Sequence, residues 1–395
     1  MQQIITGRDL KLREAYLDNS ATTCVCPAAA DKMMEMLTGC YGNPSSQHQK
    51  GVDAELALER ARAQIARALG CQKGEVYFTS GGTEANNIAV FGAAQALQRR
   101  GKHIVTTAIE HSSVLNPMYE LERQGFDVTF LKPDEKGHIH TQDIIAAIRP
   151  DTILVSVMLV NNETGAITDF SGVKAAIKRT GSPALLHIDA VQALCKLRIH
   201  VEELGADLLT VSAHKVHGPK GAGALYIRNG MRIKPLMYGG SHEKKMRPGT
   251  EAVPSLCGFG AAVEEYLSGF DGYHEKVQAL AAYLHERVKE LDGAVVNSPD
   301  DALPHVFNLS VPGIRSEIML HHLESRGVFV SGASACTKGA KSHVLTAMGI
   351  SDALVDSALR ISFSRYNEKE DVDQLIDGLK DGMQTILRTT AFSKR

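Results

Sequence analysis

The sequence predicts an α/β fold: a large domain with a mostly parallel, seven-stranded sheet covered by helices, followed by a smaller α+β domain. Three observations support this prediction. Short apolar runs alternate with helical patterns from Glu75 to Arg228, which is typical of a parallel sheet with helices on both faces. Polar residues follow the ends of several runs, as expected where a ligand binds at the carboxyl edge of such a sheet. Beyond about residue 255 the pattern changes to helices with a few short strands.

Length and charge limit the alternatives. A chain of 395 residues is too long for one typical core, so we expect residues 15–255 to form the large domain and residues 1–14 with 256–395 the small one. The net charge of −2, with both signs interspersed, predicts no nucleic-acid partner. The sequence has no apolar run that would span a membrane and no signal-peptide core at its start. We therefore expect a cytoplasmic protein without a membrane partner.

The cysteines favour a reducing compartment. There are seven, an odd number, and their irregular spacing argues against a disulfide framework. Cys24 and Cys26 stand close enough to share a metal ion, but no second pair of comparable spacing follows. We predict that these two are structural and that the protein holds no metal; a redox role for them stays open.

The elements follow from the apolar patterns, taken in chain order. Predicted strands of the large sheet span residues 75–79, 103–108, 126–131, 153–159, 184–189, 207–211 and 222–227. Predicted helices of this part include residues 28–37, 53–69 and 84–99. The later part is predicted to contain helices at 261–268, 275–291 and 316–325, and strands near 305–310, 327–331 and 358–363.

Lys215 is the first candidate for chemistry. It lies in the small, polar stretch 212–221, between two predicted strands and beside His214 and His217. A lysine that forms a Schiff base needs its amine held close to an aldehyde and deprotonated part of the time. For a lone lysine a solvated loop position is the commoner explanation, and we predict that position for Lys220.

Asp189 gives Lys215 a chemical context. It ends the apolar run 184–189, at a strand end that should neighbour the one carrying Lys215. Pyridoxal phosphate (PLP) needs a lysine on its aldehyde and an acid at its pyridinium nitrogen, which keeps the ring an electron sink. The two strand ends supply both groups. Alone, Asp189 would equally fit the cap of a following helix.

A turn between strand 75–79 and the next helix offers a place for the phosphate. Gly81, Gly82 and Thr83 at a helix start expose N–H groups and a hydroxyl toward an anion. On its own, an ordinary helix-capping turn explains this piece about as well as a phosphate cradle.

Motifs spread over nearly the whole chain carry a family resemblance. They occur at residues 17–23, 41–46, 79–87, 110–111, 161–165, 187–192, 212–215, 247–250 and 334–337. In kind and order they resemble those of the cysteine desulfurases, of the iron–sulfur-cluster-assembly and nitrogen-fixation types. These are class V aminotransferases among the fold-type I PLP-dependent transferases, so the resemblance implies that fold.

The resemblance implies a set of residues around PLP. Lys215 would form the Schiff base, Asp189 would pair with the ring nitrogen, and His111 would lie against the ring and exchange protons. The other implied cofactor contacts are Gly82, Thr83, Asn162, Gln192, Ser212 and His214. From the residues alone, His111 would also fit a helix start and Asn162 a turn or a substrate contact.

The glycine-rich, basic loop 238–250 implies a homodimer. In the family this loop reaches the neighbouring subunit, where Thr250 would add to the phosphate site. A shared site makes a two-fold symmetric dimer the simplest assembly. His242 and Pro248 depart from the Gln and Ser that the family usually has, which leaves the local contacts of the loop open.

Two further residues are implied to bind substrate. Arg360 lies on a predicted strand, and a guanidinium group binds a carboxylate through two parallel hydrogen bonds. The resemblance implies that Arg360 binds the carboxylate of L-cysteine and that Asn43 lies nearby. We predict that Arg365, shortly after the end of this strand, lies at the surface.

Cys336 is the candidate nucleophile. The stretch 331–341 around it is small and polar and cannot bury much apolar surface, so this cysteine does not fit a core position. A passive surface thiol is the alternative from composition, whereas the resemblance implies a catalytic thiol. The loop between Cys336 and the following Val344 and Leu345 is slightly shorter than in family members, and the effect on the sulfur acceptors it reaches stays open.

Together these implications predict a PLP-dependent cysteine desulfurase. It would convert L-cysteine to L-alanine and pass the sulfur, as a persulfide on Cys336, to an iron–sulfur scaffold or a tRNA-thiolation enzyme. The alternatives are a selenocysteine lyase, another PLP-dependent β-lyase or a transaminase of the same fold. A non-catalytic sulfur carrier is disfavoured by the presence of Lys215, Asp189 and Cys336. The sequence leaves open the acceptor, the pathway and the preference between cysteine and selenocysteine.

Overall fold

The computed structural model describes residues 13–332 and 341–392, with side chains up to residue 386. Its strands are β1 Ala15–Tyr16, β2 Val76–Thr79, β3 His103–Thr107, β4 Asp127–Leu131, β5 Thr152–Met158, β6 Leu185–Asp189, β7 Leu208–Ser212, β8 Gly223–Ile227, β9 Val295–Val296, β10 Val306–Ser310, β11 Val328–Phe329, β12 Ser331–Gly332 and β13 Ala358–Ser362. Its helices are α1 Pro27–Thr38, α2 Gln49–Leu69, α3 Gly82–Leu97, α4 Ser112–Arg123, α5 Thr141–Ala147, α6 Val173–Thr180, α7 Val253–Ser268, α8 Phe270–Val288, α9 Ser316–Glu324, α10 His343–Ala347, α11 Asp352–Asp356 and α12 Lys369–Phe392.

The large sheet has seven strands in the order β2-β8-β7-β6-β5-β3-β4. The pairs from β4 through β3, β5 and β6 to β7 are parallel, whereas β8 runs antiparallel to both of its neighbours. The predicted α/β fold with a mostly parallel seven-stranded sheet is therefore confirmed. Each observed strand boundary in this sheet lies within one residue of its prediction.

Both faces of this sheet are buried, which explains its nearly unbroken apolar runs. Along β5, Val155 and Val157 belong to the core on one face, while Leu154 belongs to the core on the other. Every residue of β5 is buried. Parallel strands covered by helices on both faces have this composition, and the arrangement leaves the carboxyl ends of β5, β6 and β7 as the open edge.

The later part of the chain builds a second core. Strands β12-β13-β10-β9 form a four-stranded sheet, and β1 pairs with β11 in a separate two-stranded one. Leu309, Ile361 and Leu375 lie in the core of this part, and Ala15 and Leu17 join it from the start of the described chain. The start of the described chain thus packs against the later part of the sequence, next to the site described below.

Several elements differ from their predictions. The helices expected at 53–69 and 275–291 begin earlier, at Gln49 and Phe270. The helix expected from residue 261 begins at Val253, and its glycines are the reason that the pattern was missed. A Cβ on Gly258 would lie 2.6 Å from Cγ of Met33, and one on Gly260 would lie 2.7 Å from Cα of Ala61. These glycines therefore allow α7 to pack closely on α1 and α2, a reason for helical glycine that periodicity does not show.

The strand predicted at 327–331 is split between two sheets. Val328 and Phe329 pair with β1, whereas Ser331 and Gly332 pair with β13. The chain changes partner at Val330, and a continuous apolar pattern cannot reveal such a change.

The predicted surface position of Arg365 is wrong. This arginine is 4% exposed. Its guanidinium lies within 5.3 Å of the ring centres of Tyr266, Tyr273 and Tyr366, and it donates to Glu265 at 2.5 Å. Aromatic faces and one carboxylate together balance its charge.

Two findings concern the surroundings of the fold. Within residues 13–332 and 341–392, no helix combines the length and the apolar character that crossing a bilayer requires. The six cysteines outside residues 333–340 are free thiols, of which Cys24 is exposed and Cys26 is buried.

Candidate active site

The open edge of the large sheet holds a cavity of about 340 Å³. Ten residues predicted from the sequence line it: Gly82, Thr83, His111, Asn162, Asp189, Gln192, Ser212, His214, Lys215 and Arg360. They come from the ends of several strands and from β13 of the later part. The fold thus brings together most of the predicted site residues.

Lys215 lies one short helical turn beyond β7, at the end of residues Ala213–Lys215. Its Nζ donates a hydrogen bond to the carbonyl oxygen of Ala21 at 2.8 Å and another to that of Ser20. The motif at residues 17–23 therefore passes directly over the lysine. These carbonyl acceptors hold the amine inside the cavity.

Asp189 ends β6 and is 5% exposed. Its Oδ1 accepts a hydrogen bond from the backbone N–H of Val191 at 2.9 Å, and its Oδ2 accepts one from Nδ2 of Asn86 at 2.8 Å. Two donors fix the carboxylate while leaving it at the cavity wall. An acid held in this way suits a pairing role toward a protonated ring nitrogen.

His111 caps the N-terminus of α4. Its Nδ1 accepts a hydrogen bond from the backbone N–H of Ser113 at 3.1 Å, so in the neutral ring the proton sits on Nε2. Burial lowers the pKa of His111, and the positive charge of Lys215 lowers it further, while Asp189 opposes both. The ring is therefore neutral at pH 7.

The turn before α3 has a geometry that suits an anion. Gly81 has φ +153°, and a Cβ on Gly82 would lie 2.9 Å from Cγ2 of Val191, so glycine is needed at this approach. The N-terminus of α3 opens into the cavity, where it favours negative charge. Across the described residues, the buried hydroxyl of Ser212 has no hydrogen-bond partner. It could therefore donate a hydrogen bond to a phosphate oxygen.

His214 completes this end of the cavity. Its pKa is lowered to about 4, first by burial and then by the positive charges of Lys215 and Lys220. Its ring is therefore neutral at pH 7 and retains one N–H to donate. This end of the cavity and the Asp189–Lys215 pair together have the donors, acceptors and amine that PLP requires, so the residues present fit this cofactor.

Arg360 lies on β13 and is 5% exposed. Its guanidinium donates to the carbonyl oxygen of Asn162 at 3.1 Å and to Oδ1 of Asp18 at 3.0 Å. Its buried Nε has no partner among the described residues. The side chain is thus held in the cavity wall with donor capacity left for an anionic group.

Two predicted site residues do not line this cavity, and a third cannot be compared with it. Asn43 is exposed, and its Oδ1 accepts from the backbone N–H of Ser45 at 2.9 Å. Thr250 lines a separate cavity of about 150 Å³ beside Phe78 and Arg247. Cys336 falls outside the residues that the structure describes.

The comparisons with known proteins agree with this geometry. Residues 15–375 match the model of the aminotransferase class-V family. The chain is 41% identical over 372 residues to "Cysteine desulfurase IscS" of Dictyoglomus turgidum, which covers 93% of this chain and 94% of the relative. It is 39% identical over 377 residues to the protein of the same name from Methanosarcina thermophila, with 95% and 93% covered.

This chain belongs to the aminotransferase class-V family, among its cysteine desulfurases. Among solved structures, one titled "NIFS-LIKE PROTEIN" has a TM-score of 0.89 and 34% identity and covers 94% of this chain and 100% of that one. A second, "SspA in complex with cysteine", has a TM-score of 0.79 and 34% identity and covers 90% and 100%. The family predicted from the motifs, and the fold that it implies, are both confirmed.

Sequence reasoning missed the residues that orient this family site. Asn86 follows Thr83 by one helical turn and donates a hydrogen bond to Asp189. From the sequence, no role was assigned to it within the motif at residues 79–87. Glu110, next to His111, is fully buried and accepts from the backbone N–H of Met158 at 3.0 Å. Burial raises the pKa of Glu110 to about 8. The helical spacing of Thr83 and Asn86 was the signal available for the first of these.

Proposed function

We propose that this protein converts L-cysteine to L-alanine with PLP as its cofactor and delivers the sulfur as a persulfide. One observation carries the proposal: Lys215, Asp189 and Arg360 line a single cavity. They offer an amine for an aldehyde, an acid for a ring nitrogen and a guanidinium for a substrate carboxylate. The cysteine complex among the similar solved structures is in keeping with this substrate.

The residues present would hold PLP at both of its ends. The cradle of Gly82, Thr83, Ser212 and His214 would take the phosphate, with Asp189 at the ring nitrogen and His111 against the ring. When bound, PLP supplies an aldehyde that condenses with an amine and a protonated ring that withdraws electrons from Cα. Gln192 and Asn162 are the proposed partners of the phenolic oxygen, and Asn162 also faces the substrate.

The side chains then divide the remaining work. Arg360 binds the substrate carboxylate through its guanidinium and so orients the substrate. Lys215 would accept the Cα proton at its Nζ, which the carbonyl oxygens of Ser20 and Ala21 hold inside the cavity. His111 presents a neutral ring with its proton on Nε2, so it donates from that atom and takes part in later proton transfers.

We propose Cys336 as the acceptor of sulfur. Its thiolate attacks the substrate sulfur, a new S–S bond forms and the Cβ–S bond breaks, with the electron pair going to the carbon. Protonation of the carbon skeleton gives alanine and leaves a persulfide on Cys336. An acceptor protein, either an iron–sulfur scaffold or a tRNA-thiolation enzyme, would then remove the terminal sulfur.

The assembly and the boundaries are also proposals. We propose a homodimer in which Thr250 of one subunit adds to the phosphate site of the other. A domain division at residues 15–255 and 1–14 with 256–395 stays a prediction. The packing of Ala15 and Leu17 with the later core favours moving the first boundary toward residue 18. A cytoplasmic location rests on the cysteine pattern of the sequence.

The test is the variant Cys336→Ala supplied with PLP and L-cysteine. We expect it to retain the cysteine-induced change in the visible spectrum, because binding and Cα deprotonation do not use this thiol. Alanine and persulfide production should both be lost. Mass spectrometry of the wild-type protein should place the extra sulfur on Cys336 and not on Cys24, Cys26 or Cys195. Alanine production by the variant at the wild-type rate would favour a lyase that needs no protein nucleophile.

A further inference from the structure

A buried lysine that the proposed mechanism does not use lies next to the cavity. Lys196 is 5% exposed. Burial, and then the positive charge of Lys215, lowers its pKa to about 7. No carboxylate of the described residues forms an ion pair with it; its acceptor there is Oε1 of Gln192, at 3.1 Å. Burying an ammonium group without an opposite charge is unfavourable, so core stability does not explain its presence.

The backbone is bent to bring Lys196 to this place. Cys195 has φ +59°, in the left-handed region that residues with a Cβ rarely adopt. The N–H of Lys196 donates to the carbonyl oxygen of Ala193 at 3.0 Å, which closes a turn after β6. The ammonium group thereby returns to the side chain four residues earlier. A conformation of this kind persists where the surroundings require it.

A chain of hydrogen bonds links Lys196 to Lys215. Lys196 donates to Oε1 of Gln192, and Nε2 of Gln192 donates to the carbonyl oxygen of Ser20 at 3.0 Å. The same carbonyl oxygen accepts from Nζ of Lys215. Below its pKa of about 7 Lys196 is an ammonium group, which has donors only, and in that form it fixes which end of the Gln192 amide is the oxygen. The amide nitrogen therefore faces Ser20 and keeps a second N–H for a group in the cavity.

We propose that Lys196 is a positioning residue that fixes the Gln192 amide as a hydrogen-bond donor to the anionic ring oxygen of the bound cofactor. This inference rests on the proposed function. A donor at that oxygen disperses its negative charge, which weakens its hold on the neighbouring proton. The nitrogen that joins Lys215 to the bound cofactor therefore loses its proton at a lower pH than it would without Lys196.

Several charged or titratable groups act around this lysine. They are Lys215, Arg360, Cys195, His214, His217 and His305. Burial lowers the pKa of His214 and of His217 to about 4, so both rings are neutral near pH 7. Lys215 and Arg360 add positive charge of their own, and variants at Lys196 leave both in place.

The experiment follows the visible absorption of the PLP-loaded protein as pH is varied. The variants are Lys196→Met, Gln192→Leu and the double variant, with Lys178→Met, an exposed lysine on α6, as the matched control. We expect Lys196→Met to raise the midpoint pH of the absorption change by about one pH unit. This is the size of effect that the loss of one charge-assisted hydrogen bond produces. The melting temperature of this variant should not fall, because a buried unpaired charge is replaced by an apolar chain of similar shape.

The double variant separates positioning from a direct charge effect. If Lys196 acts through Gln192, the double variant should shift no further than Gln192→Leu alone. An unchanged midpoint in Lys196→Met, or additive shifts in the double variant, would overturn the inference. If Lys196→Met fails to fold, Lys196→Gln takes its place in the same set of variants. Lys196→Gln keeps an amide N–H toward Gln192, so its absorption midpoint should shift less than that of Gln192→Leu. A wild-type protein with no visible band in the presence of PLP would instead refute the proposed function.

Discussion

Replacing Arg360 by Ala tests whether substrate recognition resides in the cavity wall. The guanidinium is buried on β13, and its Nε has no partner among the described residues. A charge-assisted hydrogen bond to a carboxylate contributes about 1.5–3 kcal/mol. Since about 1.4 kcal/mol corresponds to a factor of ten, the KM for L-cysteine should rise about 10- to 150-fold.

Arg360 makes three other contacts whose loss must be separated from this effect. It pairs with Asp18 at 3.0 Å, and it donates to the carbonyl oxygen of Asn162 at 3.1 Å and to the hydroxyl of Ser331 at 3.2 Å. The Asp18 side chain is 19% exposed, so solvent offsets part of the lost pairing. PLP affinity should therefore change only about two- to threefold, within the range of a weak, partly solvated contact.

The assay is steady-state kinetics with cysteine, together with titration of the apoprotein with PLP. Arg365→Leu is the matched control: this second buried arginine lies outside the cavity, among tyrosine rings. We expect it to lower the melting temperature while leaving the KM nearly unchanged. Equal losses of cysteine and PLP affinity in Arg360→Ala would show a structural arginine and would refute the proposed role.

Three further outcomes are expected. Lys215→Ala should fold and lose the visible band that borohydride reduction fixes in the wild type; a variant that keeps this band would place the Schiff base on another lysine. Asp189→Asn should slow alanine formation by at least about tenfold, because the ring nitrogen loses its charged partner, and wild-type turnover would contradict that assignment. Burial raises the pKa of Glu110 to about 8, so the folded state binds its proton more tightly than the unfolded state does. The unfolding free energy of the wild type relative to Glu110→Gln should therefore fall as pH rises from about 4.5 to about 8, and a constant difference would mean that Glu110 is ionised in the folded protein.

The sequence predicted the large sheet well because both of its faces are buried. Strands such as β5 and β7 are apolar runs of 7 and 5 residues between polar turns, and this short length favours a buried strand over a buried helix. The first turns of α7 were missed because Gly258 and Gly260 serve close helix packing. In the sequence such glycines indicate the end of a helix, and their role in packing is visible only once the neighbouring helix is in place.

Arg365 was misplaced for a related reason. A charged residue after a strand predicts a solvent-exposed end, since most arginines lie at the surface. Its partners Tyr266 and Tyr273 stand about a hundred residues away, on α7 and α8. The residues next to Arg365 in the sequence therefore do not predict that three tyrosine rings surround its guanidinium group.

The site shows the same division between residues that touch a ligand and residues that hold those residues. Asp189 and Lys215 were predicted because each carries a reactive group at a strand end. Asn86 and Lys196 instead contact a residue of the cavity wall, Asp189 in the first case and Gln192 in the second. Asn86 donates to an oxygen of Asp189, and Lys196 determines which end of the Gln192 amide faces the cavity. Neither role requires a particular spacing from the residue it serves, so each is set by the packing of α3 and of the turn after β6. Orientation of this kind decides where the Asp189 oxygens point and which end of the Gln192 amide faces the cavity, and it is therefore a part of the chemistry that the sequence alone does not reveal.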